Sequence, residues 1–433
     1  MTGAGEGRSG EAHRAVETVF RMELPRVIAG LARITGDVGL AEELAQEATV
    51  AALEQWPAEG VPANPGAWLT TAARRRAVDL FRRNAALRDK YRELARRRGA
   101  DTELPDFDRA VDGRIEDDLL RLVFTACHPV LRPESRSALT LRLLCGLSTA
   151  EIARAYLVPE ATVAARITRA KKALERAGVP FEVPEGPERA TRLASVLEVL
   201  YLMFNEGYAA TAGETWLRPD LTFEAVRLAR ITAGLLPDEP EVLGLLALLE
   251  LQSSRTAARV DAGGAPVLLA DQDRSRWDRL AIARGLAALD RAVRLGGASG
   301  VYALQAAIAA CHARAPRAGD TDWTRVALLY QRLADVRPSP VVELNRAVAV
   351  SYAVGPEAAL SLVDELARQP ALRGYHLLDS VRGDLLSRLG RTDEAARAFR
   401  SAAALTRNAR ERDLLLGRAG DVPGGAGTSP PDR

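Results

Sequence analysis

The sequence predicts an all-α protein made of three helical parts. Apolar residues recur every three to four positions almost throughout, as in "VRLARITAGLL" and "LLALLELQSSRTAARV", which is the period of a helix with one buried face. Alternating β-branched runs of four to eight residues, the mark of half-buried strands, are nearly absent. Two stretches break the helical pattern: the acidic, proline-containing "GADTELPDFDRAVDG" and the Pro/Gly/Glu-rich "GVPFEVPEGPE". A chain of 433 residues also exceeds what one hydrophobic core organises. The expected divisions are a helical unit over residues 12–98, a linker over 99–113 and a second unit over 114–178. A hinge over 179–187 leads to a long helical region over 188–416, and a Gly/Pro-rich tail over 417–433 has the composition of a disordered segment.

Composition narrows the function classes. The formal net charge is +2, so a surface for nucleic acid has to be local rather than global. The three cysteines, Cys127, Cys145 and Cys311, are odd in number and far apart; they give no disulfide framework, and a reducing cytoplasm is the expected compartment. No apolar run reaches the length of a membrane helix, and the N-terminus lacks a signal-peptide core. Lysine occurs only at Lys90, Lys171 and Lys172 against 56 arginines, the codon bias of a GC-rich bacterial genome.

Within the first unit the charge is concentrated. From Arg74 to Arg98 there are eleven basic residues and three acidic ones. In the second unit, "STAEIARAYLVPEATVAARITRAKKAL" (Ser148 to Leu174) reads as two helices around a turn. Ser148 or Thr149 caps the first helix, with Glu151 in its opening turn, and Ile152, Ala153 and Tyr156 face inward. The second helix, from about Glu160 to Arg176, has an inner stripe of Val163, Ile167, Ala170 and Leu174. Opposite that stripe stand Thr162, Ala165, Arg166, Arg169 and Lys172. Small residues near the start and arginines along one face suit the major groove of B-DNA, where arginine bonds guanine edges and other cations hold phosphates. The competing reading is a solvated amphipathic surface helix.

The third part repeats. "GDLLSRLGRTDEAARAFRSAAAL" places Gly383 and Ala395 where two helices of a tetratricopeptide-like hairpin approach, Leu386 and Phe399 between them, and Gly390 in the turn. "LNRAVAVSYAVGPEAALSLVDEL" puts Gly355 in the equivalent turn, 35 residues earlier, close to that repeat's period of about 34. A solenoid-like helical array is expected.

Taken together, "GDVGLAEELAQEATVAALEQWP" and "NPGAWLTTAARRRAVDLFRR" resemble region 2 of extracytoplasmic-function (ECF) sigma factors of the sigma-70 family. Ser148 to Leu174 resembles their region 4, in the same order along the chain. The region 4 match includes Gly146, Leu147, Ser148, Glu151, Ile152, Ala153, Thr162, Val163, Arg166, Arg169 and Ala170. "RLVFTACHPVL", "YLMFNEGYAA", "LLADQDRSRWDR" and "PSPVVELNRAVAV" resemble more narrowly the group 42 subfamily, which carries a C-terminal tetratricopeptide-like extension. The resemblance implies an alternative sigma factor that joins core RNA polymerase through its β′ clamp helices and β flap, recognises the −35 and −10 promoter elements and helps open the DNA.

It also implies roles by position. Asp37, Glu42, Glu43, Leu44, Gln46 and Glu47 would dock on core polymerase, with the acidic face of Glu42, Glu43 and Glu47 meeting a basic partner helix. Trp68, Arg74, Arg75, Arg76, Asp79, Arg82 and Arg83 would serve the −10 element, where bases leave the stack and cations hold the displaced strand. Arg75 stands where the family has an asparagine, so the base contact at that position does not carry over. Thr162, Ala165, Arg166, Arg169 and Lys172 would read the −35 element.

Blander readings compete at several positions. Trp68 sits where a tryptophan packs into the core. Cys127 and His128 form no four-ligand metal set and read as buried packing. Asp271 to Asp278 ("DQDRSRWD") reads as an ion-pair network between helices or, alternatively, as a contact for an effector or for the sigma domains. The region from Leu157 to Pro159, where the family offers a glycine, is the expected place for a divergent turn. No phosphate loop and no Ser/His/Asp grouping is present; neither enzyme activity nor a cofactor or metal is expected. The extension is expected to contact the sigma domains within the same chain and to regulate them. The alternative function is a helix-turn-helix regulator with a tetratricopeptide-like sensor domain that never joins polymerase.

Overall fold

The computed structural model describes residues 23–95, 115–156, 158–210 and 212–421. The expected linker over 99–113, Leu157 in the divergent turn, and the tail beyond Asp421 lie outside the described residues. The fold is all-α, and the strands among those residues are two two-residue segments. The chain divides into two compact units, residues 1–199 and 200–433.

The first unit opens with α1, residues 23–35. Gly36, at φ 67°, turns the chain, and Asp37 caps α2 (Val38–Glu59) by accepting from the amides of Gly39 and Leu40 at 2.7 and 3.1 Å. An acceptor there satisfies amides that have no partner in the helix. Helix α2 ends at Gly60, φ 88°, and Asn64 caps α3 (Pro65–Ala95), accepting from the Ala67 amide at 3.1 Å. The two helices pack through small residues (Ala48, Ala52, Ala73, Ala77) and an edge-to-face pair, Trp56 against Trp68, with ring centroids 5.4 Å apart.

Four more helices follow: α4 (Ile115–Ala126), α5 (Pro133–Leu144), α6 (Thr149–Tyr156) and α7 (Glu160–Arg176). Ser148, rather than Thr149, caps α6 in a reciprocal box. Its Oγ accepts from the Glu151 amide at 3.1 Å, while the Glu151 carboxylate accepts from the Ser148 amide at 2.8 Å. The long helix α8 (Gly186–Tyr208) supplies the unit's last buried contacts through its segment up to Val199. There Arg136 bonds Ser195 at 2.7 Å and Glu198 at 3.1 Å, and Ser195 bonds the Cys127 carbonyl at 2.5 Å. Cys127 is buried beside the Thr140 hydroxyl at 3.4 Å. Burial raises its thiol pKa to about 11 against the pull of Thr140 and Arg136, so the thiol stays protonated at neutral pH.

The second unit is an array of consecutive, mutually packed helices. They are α9 (Pro219–Leu235), α10 (Pro240–Ser253), α11 (Arg279–Arg294), α12 (Val301–Arg314), α13 (Trp323–Val336), α14 (Pro340–Ala353), α15 (Pro356–Leu366), α16 (His376–Arg388), α17 (Thr392–Leu405) and α18 (Ala409–Asp421). The expected hairpins are present. Gly355 (φ 146°) turns α14 into α15 and Gly390 (φ 71°) turns α16 into α17. A Cβ at Gly383 would meet the Phe399 ring at 2.8 Å, so glycine there sets how closely α16 and α17 approach. Ala395, Leu386 and Phe399 are all but fully buried between them.

Three features depart from expectation. Helix α18 continues to Asp421, into the stretch read as tail from residue 417. The segment from Asp271 to Asp278, a candidate for an ion-pair network or an effector contact, is built of tight turns and caps. Asp273 caps the turn at Ser275, Asp278 caps α11, and Arg274 donates to the carbonyls of His312 and Ala315 at 2.5 and 2.7 Å. Last, the array's end is tied to its beginning. Strand β1 (Ala212–Gly213) pairs in parallel with β2 (Arg407–Asn408), and the fully buried Asn408 donates its side-chain amide to the carbonyls of Ala210 and Thr215 at 3.0 and 2.9 Å.

Candidate nucleic-acid and partner interface

Helix α7 carries the most clearly sided surface. Val163, Ile167, Ala170 and Leu174 are buried against α5 and α6. Ala165, Arg169 and Lys172 are exposed, and Thr162 and Arg166 are half-exposed. The Arg169 side chain is steadied by donating to the Ala165 carbonyl at 3.0 Å, which presents its guanidinium along the helix. Pro159 precedes the first turn, and its carbonyl accepts from the Thr162 amide at 2.9 Å. The surface is a short helix face with a small residue near its start and cations further along.

The residues read for the −10 element lie along α3. Trp68 is half-buried against Trp56, Arg74 is half-buried, and Arg75, Asp79, Arg82 and Arg83 are exposed. Arg83 donates to the Asp79 carbonyl at 3.2 Å. Trp68 packs edge-to-face with Trp56 and also lines an open cleft between α2 and α3. That cleft, of about 730 Å³, is also lined by Arg75, Arg76, Asp79, Gln55 and Thr71. Gln55 and Thr71 were not singled out by sequence, since neither charge nor periodicity marks them. Arg76 also forms an ion pair with Glu47 at 3.5 Å, joining the two candidate sets of the first unit.

On α2 the six polymerase-docking candidates separate. Asp37 is exposed but serves as the helix cap; Leu44 is buried in the α2–α3 core; Gln46 is half-buried; Glu43 and Glu47 are exposed. Glu42 corrects the expectation of a single acidic face, because it is 3% exposed. Its carboxylate accepts from Arg142 Nε of α5 at 2.7 Å, pairs with Lys171 Nζ of α7 at 2.5 Å and is also bonded by Gln46. A buried charge has to be paired to persist, and the partners here come from the helices of the second basic unit. A second buried carboxylate runs the other way: Asp118 of α4 accepts from Arg33 of α1 at 2.9 Å and from Arg121 at 2.7 Å. Neither Arg142 nor Lys171 was picked out by the sequence; Lys172, next to Lys171, was, and it points to solvent.

Among the described residues no group of three or more His, Cys, Asp or Glu is placed to hold a metal ion. Burial chiefly, with Arg192 adding to it, lowers the pKa of His128. No helix among the described residues is long and apolar enough to cross a membrane.

Comparison with known families accounts for this arrangement. Residues 19–87 match sigma-70 region 2, and residues 121–174 match sigma-70 region 4. Residues 192–293 match a family of unknown function (DUF6596). An uncharacterized protein of Rhizobium meliloti (strain 1021) is 47% identical over 399 residues, covering 89% of this chain and 91% of the relative. No solved structure matches. With α2–α3 in one match, the sided helix α7 in the other, and a helical array carrying the third, the chain belongs to the sigma-70 family, as an ECF-like sigma factor of the sigma-type transcription initiation proteins, with a C-terminal extension.

Proposed function

We propose that the protein joins core RNA polymerase, recognises a −35 element through α7 and a −10 element through α3, and helps open the start site. The observation that carries this reading is the division of α7: an unbroken buried stripe on one side, and Thr162, Ala165, Arg166, Arg169 and Lys172 on the other. Arginine on such a face is suited to guanine edges and phosphates. On α3, the cleft holding Trp68, Arg75, Arg76 and Asp79 has the aromatic and cationic walls that a flipped or unstacked base uses. Glu43 and Glu47 of α2 supply the exposed carboxylates for a basic helix of the polymerase clamp.

Run-off transcription with purified core polymerase tests the proposal. Promoter-dependent transcripts are expected, with Arg166→Ala and Arg169→Ala each lowering output from −35-dependent templates. Absence of any transcript across genomic promoter fragments would leave the helix-turn-helix regulator as the better reading. We further propose that the extension regulates the sigma unit, the group 42 arrangement. A chain ending at Tyr208 keeps the α8 contacts to Cys127 and Arg136, and its promoter output should differ from that of the full chain; equal output counts against regulation.

A further inference from the structure

Region 4 already occupies part of the face of α2 assigned to the polymerase. We propose that core polymerase and the chain's own α5 and α7 compete for Glu42, so that the sigma unit is masked until its seam opens. The inference rests on the polymerase-docking reading of α2 given above.

The seam carries buried charge pairs. Glu42, buried on α2, is held by Arg142 of α5 and Lys171 of α7, and Asp118, buried on α4, is held by Arg33 of α1. Each partner is a cation reaching from the opposite side of the seam. Such buried pairs add little net stability over an apolar contact, because desolvation offsets the attraction, yet they fix one docked geometry. They also tolerate exchange, since an incoming basic helix can supply the positive charge that Arg142 and Lys171 give up. An open pocket of about 360 Å³ lies beside the seam, between the Gly36–Gly39 turn and the end of α7, lined by Lys171, Leu174, Val179 and Phe181. One contact therefore ties down two surfaces, since Lys171 stands on the same helix as Arg166, Arg169 and Lys172.

The backbone offers a direct test. A Cβ built at Gly39 lies 3.8 Å from the Lys171 Cβ, the usual Cβ separation across a disulfide of about 3.8 Å. The three native cysteines are all buried, so the full-length Gly39→Cys/Lys171→Cys chain can be oxidised selectively. The disulfide should form readily in the free chain. The oxidised form should bind core polymerase at least about tenfold more weakly than the form reduced with dithiothreitol, a change in binding of about 1.4 kcal/mol. In an independent variant, Arg142→Gln/Lys171→Gln should bind core several-fold more tightly than wild type. If wild type binds core and the oxidised and reduced forms bind alike, the polymerase reading stands and the mask is overturned. Failure of the disulfide to form in the free chain would also overturn it. If neither wild type nor Arg142→Gln/Lys171→Gln binds core, the docking reading falls and the mask falls with it.

Discussion

Each unit contains a buried glutamate held by two cations, and the two glutamates are used differently. In the second unit Glu250 of α10 is bonded by Arg230 of α9 at 2.6 Å and by Arg284 of α11 at 3.0 Å. Those partners lie 20 and 34 residues away in sequence, on the neighbouring helices of the array, so the cluster stitches adjacent layers. In the first unit the partners of Glu42 include Arg142, 100 residues away, on a helix of another region. The first kind of contact can break only by unfolding a layer. The second can break when one prefolded part leaves another. Burying a charge between consecutive helices consolidates a domain; burying one between distant helices makes a joint.

Removing the cations should expose that contrast most strongly. Arg230→Gln/Arg284→Gln leaves Glu250 buried and unpaired, and should destabilise the second unit by about 3–5 kcal/mol in chemical denaturation. Arg142→Gln/Lys171→Gln should cost clearly less, because Glu42 can reach water when the seam opens. Equal losses in the two units would erase the distinction between stitch and joint.

A smaller effect separates the units by pH. His312, in the second unit, has its pKa lowered to about 4, chiefly by burial and further by Arg255 and Arg274. The folded ring is therefore neutral where the unfolded ring, at the ordinary value of about 6.5, begins to take up a proton. Its contribution is complete above pH 6.5 and declines as pH falls towards 4, worth at most roughly 3 kcal/mol and less after screening at a partly exposed ring. Denaturation of the full chain at pH 7 and pH 4.5 should show this loss in the second-unit transition. His312→Gln should flatten it, and an unchanged slope would remove His312 as its source.

The order of the sequence signals explains what could be read in advance. Helix α7 was legible because Val163, Ile167, Ala170 and Leu174 lie on one face at helical spacing and nothing distant competes for them. The α16–α17 hairpin was legible because Gly383, Ala395 and Phe399 meet across one turn. Glu42 was not: Glu42, Glu43 and Glu47 look alike in sequence, and only the arrival of Arg142 and Lys171 decides which is buried. The cap roles of Asp273 and Asp278 were not legible, because a carboxylate in a charge-dense stretch can equally well pair with a cation or cap a helix start. The roles of Trp68 and the α3 arginines rest on the family likeness, since helical spacing alone gives them only a partly exposed face.

Two finer predictions concern closure and capping. Asn408→Ala removes three side-chain hydrogen bonds, leaving the Ala210 and Thr215 carbonyls without that donor and the Glu411 amide without that acceptor, a loss of about 1–3 kcal/mol that should appear only in the second-unit transition. Ser148→Ala removes the α6 cap and should cost the first unit about 1 kcal/mol, read by thermal denaturation. An effect of either variant on the other unit's transition would show that the two do not melt independently.

The Asn408 clasp also bears on how the chain is made. It joins residues 198 positions apart, so the second unit cannot be completed until almost all of it has left the ribosome. At about 5–20 residues per second, that interval is on the order of 10–40 s. Among the described residues the partners of Glu42 and Asp118, by contrast, lie before residue 172. The nascent sigma unit can therefore close its own seam while the array is still unfinished, and for that interval the pairs at Glu42 and Asp118 join the segments that match sigma-70 regions 2 and 4.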